Sequence, residues 1–378
     1  MTFGSLTSDV LGPAGQWRFV RAVVLIFAIA AVVRMLPLSR RRADRPRRAR
    51  AKLVLPATIT VAVMLAAAGC AYGITHHRSP LQTAQATMGA IAPPTVASEA
   101  SARAAAAAAN APEVGVFEPG ATASYRPVDE FMKATDTRPG FVLYYSGWND
   151  PFQIRFAGWA HAAGAVPFAQ MEPNGVPLAG ITAGRYDSYL RSFASAVRDY
   201  GYQVVLGFAP EMNGNWYTWG AGHTAPAVWV MAWRHVVDVF RQAGAWNVTW
   251  LWTVNSINAA TTPLRQWWPG ASYVTWVGID GYYYKPAATF ASVFGTTIRE
   301  VRTFTTAPVL ISETATGPSP EEANQISGLF RNVRADHLRG AVWFDMGQHA
   351  GTYHQDWRLE DSPAALAAFR KAAKRWSA

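Results

Sequence analysis

Two glutamates stand out by the company they keep. Glu211 lies in Pro210-Glu211-Met212-Asn213-Gly214-Asn215-Trp216, and Glu313 in Ile311-Ser312-Glu313-Thr314. Each closes or follows a short β-rich run. A carboxylate at a strand end beside aromatic rings is an unusual group to keep for stability alone. Cleavage of a glycosidic bond needs two carboxyl groups facing each other across the anomeric carbon, one to protonate the leaving oxygen and one to attack or to activate water. Other side chains at neighbouring strand ends fit a sugar site. Trp216 and Trp343 offer platforms for the apolar C–H faces of a sugar, and Tyr282 offers a hydroxyl that would keep a nucleophilic carboxylate ionised and oriented. Asp280, Asn255 and Glu172 are candidate partners for sugar hydroxyls, although Asp280-Gly281 is also a common turn dipeptide. Trp229, Trp233 and Trp250 fall on a helix or in mid-strand and read as core, and His161 reads as structural.

These residues are placed by an alternation of short β-rich runs and amphipathic stretches, the pattern of βα units around a parallel sheet. The predicted strands are Val114–Phe117, Phe141–Tyr145, Val166–Met171, Gln203–Phe208, Val248–Thr253, Val274–Asp280, Val309–Ser312 and Ala341–Phe344. The clearest predicted helices are Tyr186–Asp199, Ala227–Gln242, Pro320–Arg334 and Pro363–Trp376, the last with Asp361 or Ser362 as cap and Pro363 in its first turn. Eight such units predict an α/β fold of the closed (β/α)8 type, with an open doubly wound sheet as the alternative. No glycine-rich phosphate fingerprint follows any strand, which counts against a nucleotide-binding sheet. In a closed barrel the active site lies at the C-terminal strand ends, and strands four and seven face each other across the mouth. Glu211 and Glu313 then meet above it.

Composition divides the chain. Residues 1–112 hold 13 Lys and Arg against three acids, whereas residues 113–378 hold 21 of each sign. The basic excess is therefore confined to the N-terminal part, which argues against nucleic acid as a partner of the globular part and suits a neutral polymer. Residues 1–74 read as a membrane-anchoring region, with apolar segments 20–38 and 53–74 near bilayer-spanning length and a basic loop, 39–52, between them. The positive-inside rule keeps that loop in the cytoplasm and places the C-terminal domain outside the cell membrane. Ala67-Ala68-Gly69-Cys70 offers a second means of attachment, because it resembles a lipoprotein signal ending in the chain's single cysteine. Residues 75–112, rich in Ala, Ser and Pro, read as a disordered linker. The six histidines beyond residue 112 show no ligand-pair spacing and no cysteine accompanies them. No metal or other cofactor is therefore expected.

The motifs also carry a family likeness. Glu211-Met212-Asn213-Gly214-Asn215-Trp216-Tyr217-Thr218-Trp219-Gly220 resembles the acid/base motif of glycoside hydrolase family 26, the β-mannanase family. Ala232-Trp233-Arg234-His235, Asn247 to Trp252, Pro269-Gly270, Trp276 to Tyr282, Ile311 to Thr314 and Trp343-Phe344 follow in the family's order across residues 113–376. The resemblance implies a retaining, metal-independent, endo-acting hydrolase of β-linked polysaccharide, with Glu211 as acid/base and Glu313 as nucleophile. Mannan is the first substrate it implies, and mixed-linkage β-glucan and β-1,3-xylan are alternatives within the same family. Relatives commonly carry His directly before the acid/base glutamate, where it helps bind the sugar. Here Pro210 stands in that place with no side-chain donor, and Gly207 stands where Arg is frequent. A catalytically weak barrel that binds carbohydrate at its rim is the competing reading from another class.

Overall fold

The computed structural model describes residues 112–347 and 356–376. Eight parallel strands close into a barrel in sequence order: β1 Glu113–Phe117, β2 Phe141–Gly147, β3 Val166–Glu172, β4 Val204–Phe208, β5 Val248–Asn255, β6 Trp276–Asp280, β7 Val309–Thr314 and β8 Gly340–Phe344. Pairing of β1 with β8 completes the ring and removes the open-sheet alternative. Each boundary of the eight predicted strands and four predicted helices lies within two residues of the observed one.

Around the barrel run the α-helices α1 Arg126–Thr135, α2 Ile154–Ala162, α3 Leu178–Thr182, α4 Asp187–Tyr200, α5 Pro226–Gln242, α6 Thr296–Arg302, α7 Glu322–Ala335 and α8 Pro363–Lys374. The helices form where apolar residues recur on one face. In α4 the buried side chains are Leu190, Phe193, Ala194, Val197 and Tyr200, and Gly201 at φ 79° ends the helix in a left-handed turn. Ser362 caps α8 by accepting from the Ala365 amide, with Pro363 in the first turn.

Strand alternation sorts the side chains into two layers. Outward residues such as Trp229 on α5 and Trp250 on β5 belong to the core between barrel and helices. Inward, Phe141, Leu143, Phe168, Val205, Leu251, Trp276, Leu310 and Val342 fill the lower barrel as a separate apolar plug. Arg339 lies over the Trp276 ring at 4.8 Å and closes the bottom. Of the loop and paired tryptophans, Trp148, Trp219, Trp252 and Trp267 are buried.

One irregularity decides the chemistry. Register shifts between Ile311 and Thr314 against β8, and between Ile279 and Asp280 against β7. Strict alternation would send Ser312 inward after Leu310 and turn Glu313 outward. Instead, Ser312 bonds the buried Asp280 and Glu313 bonds Tyr145 and Tyr282, so two consecutive residues address the interior.

Among the described residues no helix is long and apolar enough to cross a membrane. The predicted apolar segments 20–38 and 53–74, the basic loop 39–52, Cys70 and residues 75–111 of the linker lie outside the described residues.

Candidate active site

Glu211 is presented by a strained turn just beyond β4. Ala209 and Glu211 both adopt left-handed backbone, at φ 47° and 55°. Non-glycine residues enter that region at a cost, so something must hold them there. The Ala209 amide donates to Met171 O and the Glu211 amide to Thr253 O. The indole of Trp229 donates to Ala209 O at 3.1 Å, and that of Trp219 to Pro210 O at 2.8 Å. Two tryptophans thus secure the carbonyls of the turn while two neighbouring strands secure its amides.

The Glu211 carboxyl receives one donor on each oxygen. Asn255 Nδ2 donates to Oε1 at 2.5 Å, and Trp216 Nε1 donates to Oε2 at 2.8 Å. Asn255 is itself bracketed by buried Asn213, whose side chain accepts from the Asn255 amide and donates to its carbonyl. Trp216 is 44% exposed and stands at the rim. Glu172, bonded by Asn174, lies near enough for the charge of Glu211 to raise its carboxyl, although burial is the larger cause.

Glu313 also takes one donor per oxygen, and both are phenols. Tyr145 donates to Oε1, and Tyr282 donates to Oε2 at 2.7 Å. Burial first, and then the charge of Glu211, push the Glu313 carboxyl up to about 8, against the two phenolic hydrogen bonds that pull it down. Burial raises Glu211 as well, opposed by Asn255 and Trp216. Two buried, coupled carboxyls share protons as a pair. Tyr217 feels both charges in addition to its own burial, which places it at the same mouth.

Two expected contacts do not form. Trp343 is only 2% exposed; its indole donates to Trp357 O, and its ring lies edge-on against Phe369 of α8. It points away from the mouth because Val342 fills the barrel interior, and alternation then makes Phe344 the inward ring of β8. Asp280 is fully buried and accepts from Ser312 Oγ at 2.5 Å. Burial and the charges of Glu313 and Glu211 hold its carboxyl well above the usual carboxylate range. It is a buried acid beneath Glu313, with no face open to a sugar hydroxyl. Tyr145, Asn213, Tyr217 and Phe344 were not anticipated as site residues. Tyr145 shares the face of Phe141 and Leu143 and ends the predicted strand, so the strand-end argument that found the others would have found it. Among the described residues no three His, Cys, Asp or Glu side chains are grouped to hold a metal ion.

A closed parallel barrel with two coupled carboxyls and a tryptophan at its C-terminal mouth has the arrangement of a glycosidase. Comparison refines that class. Residues 188–358 match the model of glycosyl hydrolase family 26. Endoglucanase H of Acetivibrio thermocellus is 28% identical over 270 residues, covering 67% of this chain and 29% of that protein. A β-1,3-xylanase of Vibrio sp. is 27% identical over 173 residues, covering 42% of this chain and 36% of its own length. The chain thus spans about a third of the curated relatives it matches. Among solved structures, a β-mannanase of that family from Bacteroides ovatus superposes with a TM-score of 0.53 at 14% identity, covering 74% of this chain and 92% of that one. The catalytic domain of an endo-β-1,4-mannanase from Bacillus sp. JAMB-750 gives 0.52 at 15% identity, covering 70% and 86%. These likenesses bear on the fold.

Proposed function

We propose that the domain hydrolyses a β-linked polysaccharide with retention, through a covalent glycosyl-enzyme. The observation that carries this reading is the contrast between the donor sets of the two carboxyls. Both are raised by burial, so the pair holds a proton at neutral pH. Phenols are stronger hydrogen-bond acids than an amide or an indole N–H, so charge settles on Glu313 and the proton on Glu211. Glu313 then attacks the anomeric carbon while Glu211 protonates the departing oxygen. In the second half, Glu211 takes a proton from water, which displaces Glu313. Asn255 and Trp216 orient the acid/base, Tyr282 and Tyr145 orient the nucleophile, and the exposed face of Trp216 supports a sugar ring.

Mannan is the first substrate in this reading. A mixed-linkage or β-1,4-glucan is the second, favoured by two features of the site. Pro210 provides no side-chain donor beside Glu211, and the Gln170 amide fills the space a side chain at Gly207 would need, since a β-carbon there would lie 1.9 Å from Gln170 Oε1. A site lacking a donor for a substrate hydroxyl discriminates poorly at that hydroxyl. The N-terminal basic block and its flanking apolar segments support a membrane-attached domain held outside the cell. A reporter fused after Ala378 that is active only in the cytoplasm would overturn that topology, and lipid labelling lost in Cys70→Ser would identify the anchor.

The enzymatic test is a reducing-sugar screen against mannan, glucomannan, β-glucan and β-1,3-xylan, followed by two variants. Glu313→Ala should lose about four orders of magnitude in kcat, with partial rescue by azide and an inverted product. Glu211→Ala should lose least on substrates with good leaving groups. Polymer turnover at the native rate by either variant refutes the assignment, and binding without turnover by the native chain favours the carbohydrate-binding reading.

A further inference from the structure

The nucleophile candidate is held in a way that the acid/base candidate is not. Asn255 and Trp216 reach Glu211 from its own loop and the adjacent strand, whereas Glu313 is gripped from opposite sides by side chains of β2 and of the segment after β6. Phe344 stands between the two phenols. Its ring meets Tyr145 at 6.4 Å and Tyr282 at 5.9 Å, both edge-to-face, and its outer face stacks on Phe117 at 4.4 Å. Phe117 in turn packs edge-on against Tyr145 at 5.3 Å. Glu211 and Glu172 bring like charge to Glu313, and the buried acid Asp280 lies against it. A buried carboxylate beside like charges needs its donors to ionise and to stay in one rotamer.

Resting on the hydrolase reading above, we infer that Tyr145 is a second positioning residue for Glu313. With Tyr282 it forms a two-phenol clamp, wedged by Phe344, that commits one donor to each carboxylate oxygen and turns the remaining lone pairs to the mouth. Tyr145 does not touch the sugar in this account; it acts through Glu313. The phenol that opposes the raised titration of Glu313 most is Tyr145, ahead of Tyr282.

The test is Tyr145→Phe, which removes the hydroxyl and keeps the ring packed against Phe117 and Phe344. Two measurements separate the clamp from the hydrolase reading. The first is titration of the Glu313 carboxyl by carbon-13 NMR of glutamate-labelled full chain, with the resonance assigned by its loss in Glu313→Gln. Losing a donor to the charged form should move the titration upward by about half a unit or more in Tyr145→Phe, with Tyr282→Phe moving it the same way. The second is the pH profile on the polymer hydrolysed fastest: kcat should fall about 10- to 100-fold with KM little changed, and the acid limb of kcat/KM should shift upward with the NMR titration. An unmoved Glu313 titration overturns the clamp whatever the kinetics. A titration shifted by Tyr145→Phe, where the native chain hydrolyses no polymer, upholds the clamp and refutes the hydrolase reading. Loss of kcat with an unmoved acid limb overturns positioning through the ionisation of Glu313.

Discussion

The two halves of the barrel interior are built on opposite principles. The lower half is a plug of apolar side chains from seven strands, with Phe117, Tyr145 and Val166 packed against it and Arg339 over the Trp276 ring. The upper half, two to four residues further along the same strands, is polar. Tyr145, Gln170, Thr253, Asp280, Ser312 and Glu313 line it, and Gln170 Oε1 and Asp280 Oδ2 have no hydrogen-bond partner among the described residues. Buried acceptors left unpaired and carboxyls held above their ordinary range cost free energy. The difference teaches where stability is generated and where it is consumed. The plug stabilises the barrel, and the mouth draws on that stability to keep acids in places where water would not leave them charged.

The contrast is open to attack at three points. In the plug, Leu251→Ala should destabilise by about 3 kcal/mol, because it opens a cavity among rigid neighbours, while leaving the catalytic rate per folded molecule unchanged. Urea unfolding and titrated active-site concentration read both, and a loss of rate at full folding would show that the halves are coupled. At the mouth, Glu313→Gln should abolish activity and yet raise stability by about 1–3 kcal/mol at pH 8. The sign follows from the raised titration, at about 8 against an ordinary 4.5. Below 4.5 the carboxyl is protonated folded or unfolded. Between 4.5 and 8 the folded Glu313–Glu211 pair retains a proton, carried mainly on Glu211, that the unfolded chain releases, so stability falls as pH rises. The Gln variant escapes that loss, so its advantage should grow from pH 4 to 8 in thermal melts, and an advantage equal at both ends would sink the argument. At the exposed rim, Trp216→Ala should change stability by no more than about 0.5 kcal/mol while lowering kcat/KM about 10-fold. A large stability loss would move Trp216 from the site into the fold.

The sequence made the barrel legible because each strand is bounded by turn residues and each long helix repeats its apolar face. Glu211, Asn255, Tyr282 and Trp216 were legible because they stand at strand ends or in the loops that follow. The errors came from parity. Trp343 and Phe344 are adjacent aromatics at the end of β8, and only the register with β1 decides which one faces inward. Asp280 ends β6, but the extra residue in β7 after Ile311 determines which acid reaches the mouth and which stays beneath it. A bulge leaves no mark in residue type here. Tyr145 was legible by the same strand-end position, although the partner that gives its hydroxyl a role lies 168 positions away.

The left-handed turn at Ala209-Pro210-Glu211 has a consequence for how the chain can evolve. Two of its three residues occupy backbone that glycine would fill without strain. At position 209 that relief is available, since selection for heat resistance can exchange the alanine for glycine and recover part of the cost of the turn, offset by one lost buried methyl. At position 211 it is not, because the side chain that makes the turn useful is the one that makes it uncomfortable. A lineage selected for durability alone should therefore drift at 209 and, once released from selection for activity, at 211 next. Glycine or asparagine in place of Glu211 would mark a copy that has kept the barrel and abandoned the reaction.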